Sequence, residues 1–428
     1  MPRTGVRACS RSEALTSMTR QRFSAILVAL MPLLSVYKSP IPGVDLATLT
    51  VLLTFIIIML NEKRITPDPH SHNMDLVLLY VVVVTVFNLA FFKPSFGWDY
   101  AEKSLVALRL MKFTIIIIVY FTFSFLRNTD LPMLMFAVRV IVHINVLFIV
   151  IQQLLYLGWG IVVYNPFTNV AMVDQYQMDK YSMVAGFHLF RPSAFFLEPS
   201  HLAQYFFVYL CYVLYQEKNE LVLGRELFIT ALGILCSGSG MGVLMLIALV
   251  AVWGVWRMQF NLVKTFFLSF LILIGFIVLM STSFMQSVFS RVFTDNVEYG
   301  GNAIQARIGD GYKLYEDLGL VNKIFGAGFG NVPSFFLNGI AYMLNTVGVV
   351  GIVIMLLSIL HIYVRAQLWA KWVLVVYVVM TAAAQMFSTD AIVYYIGVAY
   401  LTCENTEPRI HFLRRREVFI DAQPTKRR

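Results

Sequence analysis

Residues 74–92 read MDLVLLYVVVVTVFNLAFF, an apolar run in which Asp75 is the one charged residue. A helix that crosses the hydrocarbon core of a bilayer needs about 20 consecutive apolar residues, and this run has that length. Of the 428 residues in the chain, 59% are hydrophobic and 13% are charged. A soluble domain carries about a quarter charged residues. The sequence therefore predicts an all-α, polytopic integral membrane protein.

Apolar runs bounded by polar breaks predict about twelve transmembrane helices. The runs 226–236 and 240–256 form a hairpin if the chain turns at Ser237-Gly238-Ser239-Gly240, and one long helix if it does not. We expect the hairpin. The predicted spans are 23–37, 44–60, 74–92, 105–126, 133–157, 200–216, 226–236, 240–256, 265–281, 339–364, 372–388 and 391–403.

The positions of Lys and Arg predict the orientation, because cytoplasmic loops carry an excess of basic residues. With the amino terminus inside, 21 of the 33 Lys and Arg residues fall in cytoplasmic segments, nine in outer segments and three inside spans. Both termini are therefore expected in the cytoplasm, as basic tails at 1–22 and 404–428 around a bundle at 23–403. Because the basic residues sit mostly at span ends, the net charge of +9 does not indicate nucleic-acid binding.

Two outer connections, 158–199 and 282–338, are much longer than the others. Long connections in a compact bundle are commonly functional. Together they hold six of the nine outer basic residues, and a ligand with phosphate groups would explain that charge. We therefore expect the functional site on the outer face.

The first of these loops ends with RPSAFFLEPSH at residues 191–201. Pro199 suits the first position of the next helix and Glu198 its N-cap, so the positive end of that helix would face a lipid diphosphate. Arg191 would clamp phosphate oxygens, and Glu198 or His201 would act as general base. In the alternative, Glu198 only compensates the helix dipole and His201 is a packed or solvated residue.

The second loop carries Arg291, Arg307 and a glycine run at 326–330. Residues 303–323 have the spacing of an amphipathic helix, which would lie on the membrane, roof a cavity or merely pack on the bundle. The glycines would allow the backbone to approach a ligand closely.

Charged residues inside spans must find partners or a wet cavity. This applies to Arg109, Lys112 and Arg139. Arg109 and Lys112 would line the groove for an anionic substrate or extend their charges toward the interface. The polar residues expected to make hydrogen bonds between helices are Asn88, Gln152, Gln153 and Gln385.

The pattern resembles the O-antigen polymerase and O-antigen ligase superfamily of bacterial envelope glycosyltransferases. Its landmarks occur in the family's order between residues 185 and 352. Gly240 stands where family members often have a basic residue. Leu337 stands where ligases typically have His, which favours a repeat-unit polymerase. The matching segments are the Arg-led stretch 191–203, the Ser/Gly turn 236–244, Arg307 with the glycine stretch 325–330, and Asn338 with 348–351.

The resemblance implies a metal-independent, cofactor-free enzyme of the bacterial inner membrane. It would transfer a growing glycan from undecaprenyl diphosphate to another lipid-linked repeat unit on the outer face, making O-antigen, capsular or exopolysaccharide. A flippase and a chain-length regulator are the expected protein partners, within membrane lipid. The alternatives are an O-antigen ligase, a flippase or other transporter, and a structural membrane protein. The catalytic candidates are Arg191, Arg307, Glu198 and His201, and the substrate-binding candidates are Arg291, Tyr312, Gly328, Asn331 and Asn338.

Overall fold

The computed structural model of the protein describes twelve stretches of the chain. Within them the structure is almost entirely α-helical, as the sequence predicted, with two short antiparallel pairs of strands. The described residues are 11–41, 44–61, 71–91, 100–123, 126, 129–163, 183–184, 187–257, 295–296, 301–333, 337–384 and 386–403.

The amino-terminal helices are α1 (Arg11–Leu34), α2 (Leu46–Asn61), α3 (His72–Phe91), α4 (Lys103–Ile117) and α5 (Leu131–Trp159). A π-helical turn at Ile118–Thr122 extends α4. The strands β1 (Met183–Val184) and β2 (Phe187–Phe190) precede α6 (Pro199–Gln216), α7 (Glu220–Cys236) and α8 (Gly240–Arg257).

The carboxy-terminal part begins with β3 (Asp295–Asn296), β4 (Gly301–Asn302), α9 (Ala303–Glu316) and the short α10 (Leu320–Phe325). It continues with α11 (Gly339–Thr346), α12 (Gly348–Arg365) and α13 (Leu368–Ala383). The last element is α14 (Thr389–Ala391), which runs through a π-helical stretch at Ile392–Gly397 into α15 (Val398–Leu401).

Five of the described helices are long and apolar enough to cross a membrane. Their outward faces are apolar: Leu79, Phe87, Leu147 and Leu154 each expose more than half of their surface. Large contiguous apolar surfaces of this kind are typical of contact with lipid. The five helices are His72–Phe91, Lys103–Thr122, Leu131–Trp159, Gly240–Arg257 and Gly348–Arg365. The predicted span 265–281 lies outside the described residues.

Helix α6 lies at the centre of the bundle and packs against α5, α7, α8 and α13. A helix that is apolar on all sides is expected to be buried on all sides, and the residues from Tyr205 to Cys211 are all buried. The stacked rings of Tyr205 and Tyr394, with centroids 4.7 Å apart, join α6 to the π-helical stretch at Ile392–Gly397. The loop that precedes α6 is therefore attached to a helix that is packed on all sides.

The turn at residues 237–239 makes an antiparallel hairpin of α7 and α8, as expected. Gly238 adopts φ 64°, a left-handed conformation that glycine takes without steric cost. At the far end of the hairpin, Nη2 of Arg257 in α8 lies 2.9 Å from Oε1 of Glu220 in α7. The two ends meet, so the alternative of one long helix is excluded.

Two predicted helices are interrupted. The predicted span 339–364 breaks between α11 and α12, where Gly348 adopts φ 65°. A Cβ atom on Gly348 would lie 2.5 Å from the backbone of Ile324 and Gly326, so the break accommodates a neighbouring segment. The predicted amphipathic helix 303–323 likewise divides into α9 and α10 around residues 317–319.

Candidate functional site

Arg191 is held against the Ser/Gly turn. Its guanidinium Nε donates a hydrogen bond to the carbonyl oxygen of Gly238 at 3.0 Å, and the residue is half-buried. Gly238 can present its carbonyl here because it has the left-handed conformation described above. The Arg-led stretch 191–203 and the Ser/Gly turn 236–244, two of the segments that carry the family resemblance, are thus in direct contact.

The loop from Phe190 to Leu197 is fastened to α5 by polar side chains. Gln153 Nε2 donates to the carbonyl oxygens of Phe190 at 3.2 Å and Cys236 at 2.8 Å. Gln152 Oε1 accepts from the Ala194 backbone N–H at 3.2 Å. Gln152 and Gln153 were expected to bond between helices; Gln152 bonds loop backbone, and Gln153 bonds both a loop and the end of α7.

Ala194 lies at the middle of this loop in a strained conformation. It is fully buried, and its φ of 50° makes it the one non-glycine residue with positive φ in the described chain. Such backbone costs roughly 1–3 kcal/mol and persists only where its surroundings hold it in place. The loop beside Arg191 is therefore constrained by its packing.

Glu198 and His201 lie at the start of α6. Glu198 occupies the N-cap position and Pro199 the first helical position, as the sequence indicated. The Glu198 side chain does not cap the helix; it accepts a hydrogen bond from the Ser200 hydroxyl at 2.8 Å. His201 is exposed. Both side chains are accessible, which is compatible with either role. The roles of general base and of helix-dipole compensation therefore stay predictions.

The described part of the second long loop packs against helices. Residues 325–330 contact α3 from its middle to near its carboxy-terminal end: the Tyr80 hydroxyl donates to the Phe325 carbonyl oxygen at 2.9 Å, and Asn88 Nδ2 to that of Gly326 at 3.2 Å. Irregular backbone is tolerated at membrane depth only where the protein satisfies its polar groups. Three backbone N–H groups of this stretch also have acceptors. Thr85 Oγ1 accepts from the Phe329 N–H, the Thr346 carbonyl oxygen from the Gly328 N–H, and the Asn345 carbonyl oxygen from the Ala327 N–H.

The glycines at 326, 328 and 330 all adopt positive φ, between 75° and 102°. A Cβ atom on Gly326 would lie 2.3 Å from the Thr346 carbonyl oxygen, and one on Gly330 would lie 2.7 Å from Cδ of Arg109. The close approach that these glycines allow is thus between this backbone and other parts of the protein. The proposed contact of Gly328 with substrate stays a prediction.

The two basic residues of α4 have specific partners. The Arg109 guanidinium donates to the Gly330 carbonyl oxygen at 2.5 Å. Lys112 forms an ion pair with Asp45, whose other carboxylate oxygen accepts from the Thr48 N–H at 2.7 Å and caps α2. Both cations therefore have partners within the protein. This favours a structural role for them over a groove that is open to an anionic substrate.

The remaining candidates lie around α9 and α11. Asn338 caps α11 by accepting from the Ala341 N–H at 2.7 Å. Asn331 Nδ2 donates to the Ala327 carbonyl oxygen at 2.8 Å, and both Asn residues are buried. Tyr312 is half-buried on α9. Arg291 lies outside the described residues, and of Arg307 the backbone within α9 is described.

Helices α9 and α11 are in contact, which joins the other two parts of the resemblance. Asn345 Nδ2 of α11 donates to the Gly311 carbonyl oxygen of α9 at 3.0 Å. A Cβ atom on Gly311 would lie 2.7 Å from Cβ of Ala341, so glycine permits this approach.

The Arg191 loop and the pair of α9 and α11 lie at one end of the bundle. The Tyr37 hydroxyl, just after α1, donates to the Phe195 carbonyl oxygen at 3.0 Å. The Gly339 N–H at the start of α11 donates to the Ala384 carbonyl oxygen at 3.0 Å, just after α13. The Ser35 hydroxyl donates to the Asp390 carboxylate at 3.3 Å and connects these two ends.

The buried carboxylate of Glu226 was not predicted from the sequence. Glu226 of α7 exposes 2% of its side chain and accepts hydrogen bonds from Arg139, His143, Arg225 and Tyr209. The available signal was the pair Arg139 and His143, one helical turn apart in an apolar span and in need of an acidic partner. The partner could not be chosen because it lies more than 80 residues further along the chain.

Within the described ranges there is no group of three or more His, Cys, Asp or Glu residues arranged to hold a metal ion. The chain matches no protein-family model, and no curated protein matches it significantly.

Proposed function

We propose that this protein is a glycosyltransferase of the bacterial inner membrane that polymerises undecaprenyl-diphosphate-linked oligosaccharide repeat units on the outer face. The observation that carries the proposal is the hydrogen bond from Arg191 to Gly238, because it brings together two segments of the resemblance that are 47 residues apart. The contact between α9 and α11 supports it in the same way.

The proposed topology has twelve spans with both termini in the cytoplasm. The hairpin of α7 and α8 supports the even number, because it returns the chain to the side on which α7 begins. In this orientation Arg191, Glu198 and His201 lie at the outer surface. Labelling of single cysteines introduced at 201 and at 218 with a membrane-impermeant maleimide tests it: 201 should react in intact cells, and 218 only after lysis.

In the proposed reaction an acceptor sugar hydroxyl attacks the anomeric carbon of the donor glycan. The bond between that carbon and the diphosphate oxygen breaks, and undecaprenyl diphosphate leaves with the electron pair. The acceptor proton passes to Glu198 or His201. Arg191 and Arg307 hold the diphosphate and stabilise the negative charge that grows on it, which lowers the barrier to transfer.

The bundle contributes by orientation. Both reactants are lipid-anchored and share one plane, so a site that aligns them converts an encounter between two molecules into a nearly intramolecular step. The constrained loop around Ala194 supports such a role, because a clamp that is held by its packing keeps its geometry during transfer.

The experiment is incubation of the purified protein with lipid-linked repeat units, followed by gel analysis of chain length. Arg191→Ala and Arg307→Ala should leave single repeat units, whereas Arg257→Ala, in the last turn of α8, should give normal polymer. Normal long chains in both of the first two variants would contradict the mechanism. Transfer of glycan to lipid A core would instead identify a ligase, and translocation without bond formation a flippase.

A further inference from the structure

We propose that Arg139 and Arg225 form an anion cleft that binds the phosphate headgroup of an anionic phospholipid. The inference concerns the end of α5 and α7 remote from Arg191 and does not depend on the enzymatic activity. It rests on the saturation of Glu226, on the exposure of the two arginine side chains and on the apolar surfaces beside them.

The Glu226 carboxylate has no capacity for further donors. Oε1 accepts from Arg139 Nη2 at 2.7 Å and from Arg225 Nη2 at 2.9 Å. Oε2 lies 2.6 Å from His143 Nε2, which must carry the hydrogen because a carboxylate only accepts, and 2.9 Å from the Tyr209 hydroxyl. With the further bond from Arg225 Nε to Oε1 at 3.2 Å, five hydrogen bonds fill the roughly four lone-pair positions of the carboxylate.

Within the described residues, the guanidinium groups of Arg139 and Arg225 in contrast keep N–H donors that the Glu226 carboxylate does not use. A guanidinium has about five N–H donors, and the Glu226 bonds use one of Arg139 and two of Arg225. The side chains of Arg139 and Arg225 remain 37% and 56% exposed. Two arginines face one carboxylate, so the cluster keeps a net positive charge and has donors directed away from the bundle core.

The surroundings fit a lipid better than a free anion. On α5, Phe136 and Val140 are exposed beside Arg139; on α7, Leu221 and Phe228 are exposed one turn from Arg225. A phosphate at the cleft would therefore have apolar side chains on both sides, against which acyl chains can lie. Basic pockets between transmembrane helices bind anionic headgroups in this way.

Native mass spectrometry of the full-length protein in mild detergent tests the proposal. Phosphatidylglycerol should bind more tightly than phosphatidylcholine with the same acyl chains. Arg225→Gln should weaken phosphatidylglycerol binding about fivefold, the effect expected for one basic residue at a lipid surface. Arg225→Lys, which keeps the charge, should retain most of the preference.

Arg257→Gln is the matched control, because Arg257 also bonds a glutamate but that partner, Glu220, is 82% exposed. It should leave lipid binding unchanged. Equal binding of the two lipids to the unaltered protein would refute the proposal, and that comparison needs no variant. It is also refuted if Arg225→Gln binds like the parent, or if millimolar inorganic phosphate displaces phosphatidylglycerol, which would indicate a site for free anions.

Discussion

Substitution of Gly326 by Ala tests whether the glycine stretch holds the second long loop against α3, α11 and α12. The added Cβ would lie 2.3 Å from the Thr346 carbonyl oxygen and 2.6 Å from Cα of Val347. Both neighbours are backbone atoms at the break between α11 and α12, so neither can move aside as a flexible side chain would. The segment must shift instead.

The magnitude has two parts. An alanine at φ 91° costs roughly 1–2 kcal/mol, because its Cβ crowds the backbone in the left-handed region. Overpacking against fixed neighbours costs about 1–3 kcal/mol more. The shift also strains the hydrogen bond from Asn88 to the Gly326 carbonyl oxygen. We therefore expect a loss of roughly 2–5 kcal/mol in stability.

The assay is thermal unfolding of the purified protein in detergent, followed by loss of the monodisperse peak in size-exclusion chromatography. Gly326→Ala should lower the apparent Tm by roughly 5 °C or more. Gly224→Ala is the control, because nothing lies within 4 Å of its Cβ position, and it should leave the Tm unchanged or slightly raise it. If Gly326→Ala melts within about 1 °C of the parent protein, the close packing of this loop is refuted.

Three further variants test individual interactions. Tyr80→Phe removes the hydroxyl that donates to Phe325 and Val347, and should cost about 1–2 kcal/mol in the same melting assay; an unchanged Tm would contradict the docking of the loop on α3. Glu226→Gln removes the negative charge that pairs with Arg139 and Arg225 and should cost roughly 2 kcal/mol. In contrast, Glu220→Gln, at an exposed pair, should cost at most about 0.5 kcal/mol; equal effects would refute the special role of Glu226. Arg191→Lys keeps the charge but loses the planar guanidinium, so polymer formation in vitro should fall at least about tenfold, and full activity would argue against bidentate phosphate binding.

The positions of the helices could be predicted from sequence because they depend on local composition. The apolar run 133–157 corresponds to α5 at Leu131–Trp159, and the run 240–256 to α8 at Gly240–Arg257. The N-terminus of α6 at Pro199 was predicted equally closely from Glu198-Pro199. In each case the residues that decide the boundary lie within the element itself.

The candidate site was predictable in part. The sequence placed Arg191, Glu198 and His201 close together because they share one short segment. It could not show that Arg191 bonds Gly238, since that partner lies 47 residues away. Nor could it show that Gly326 and Gly330 approach the protein itself, because glycine spacing is the same whether the neighbour is a ligand or a helix.

The sequence by itself determined that this is a helical chain with several apolar stretches of membrane-crossing length and with basic residues concentrated between them. Those properties follow from hydrophobicity, backbone preference and charge along short stretches. Tertiary structure alone decided that the glycine loop packs into the break after Thr346 and that Glu226 collects donors from α5, α6 and α7. Such contacts join residues distant in the chain, and they form because buried polar groups must find partners that local sequence does not supply.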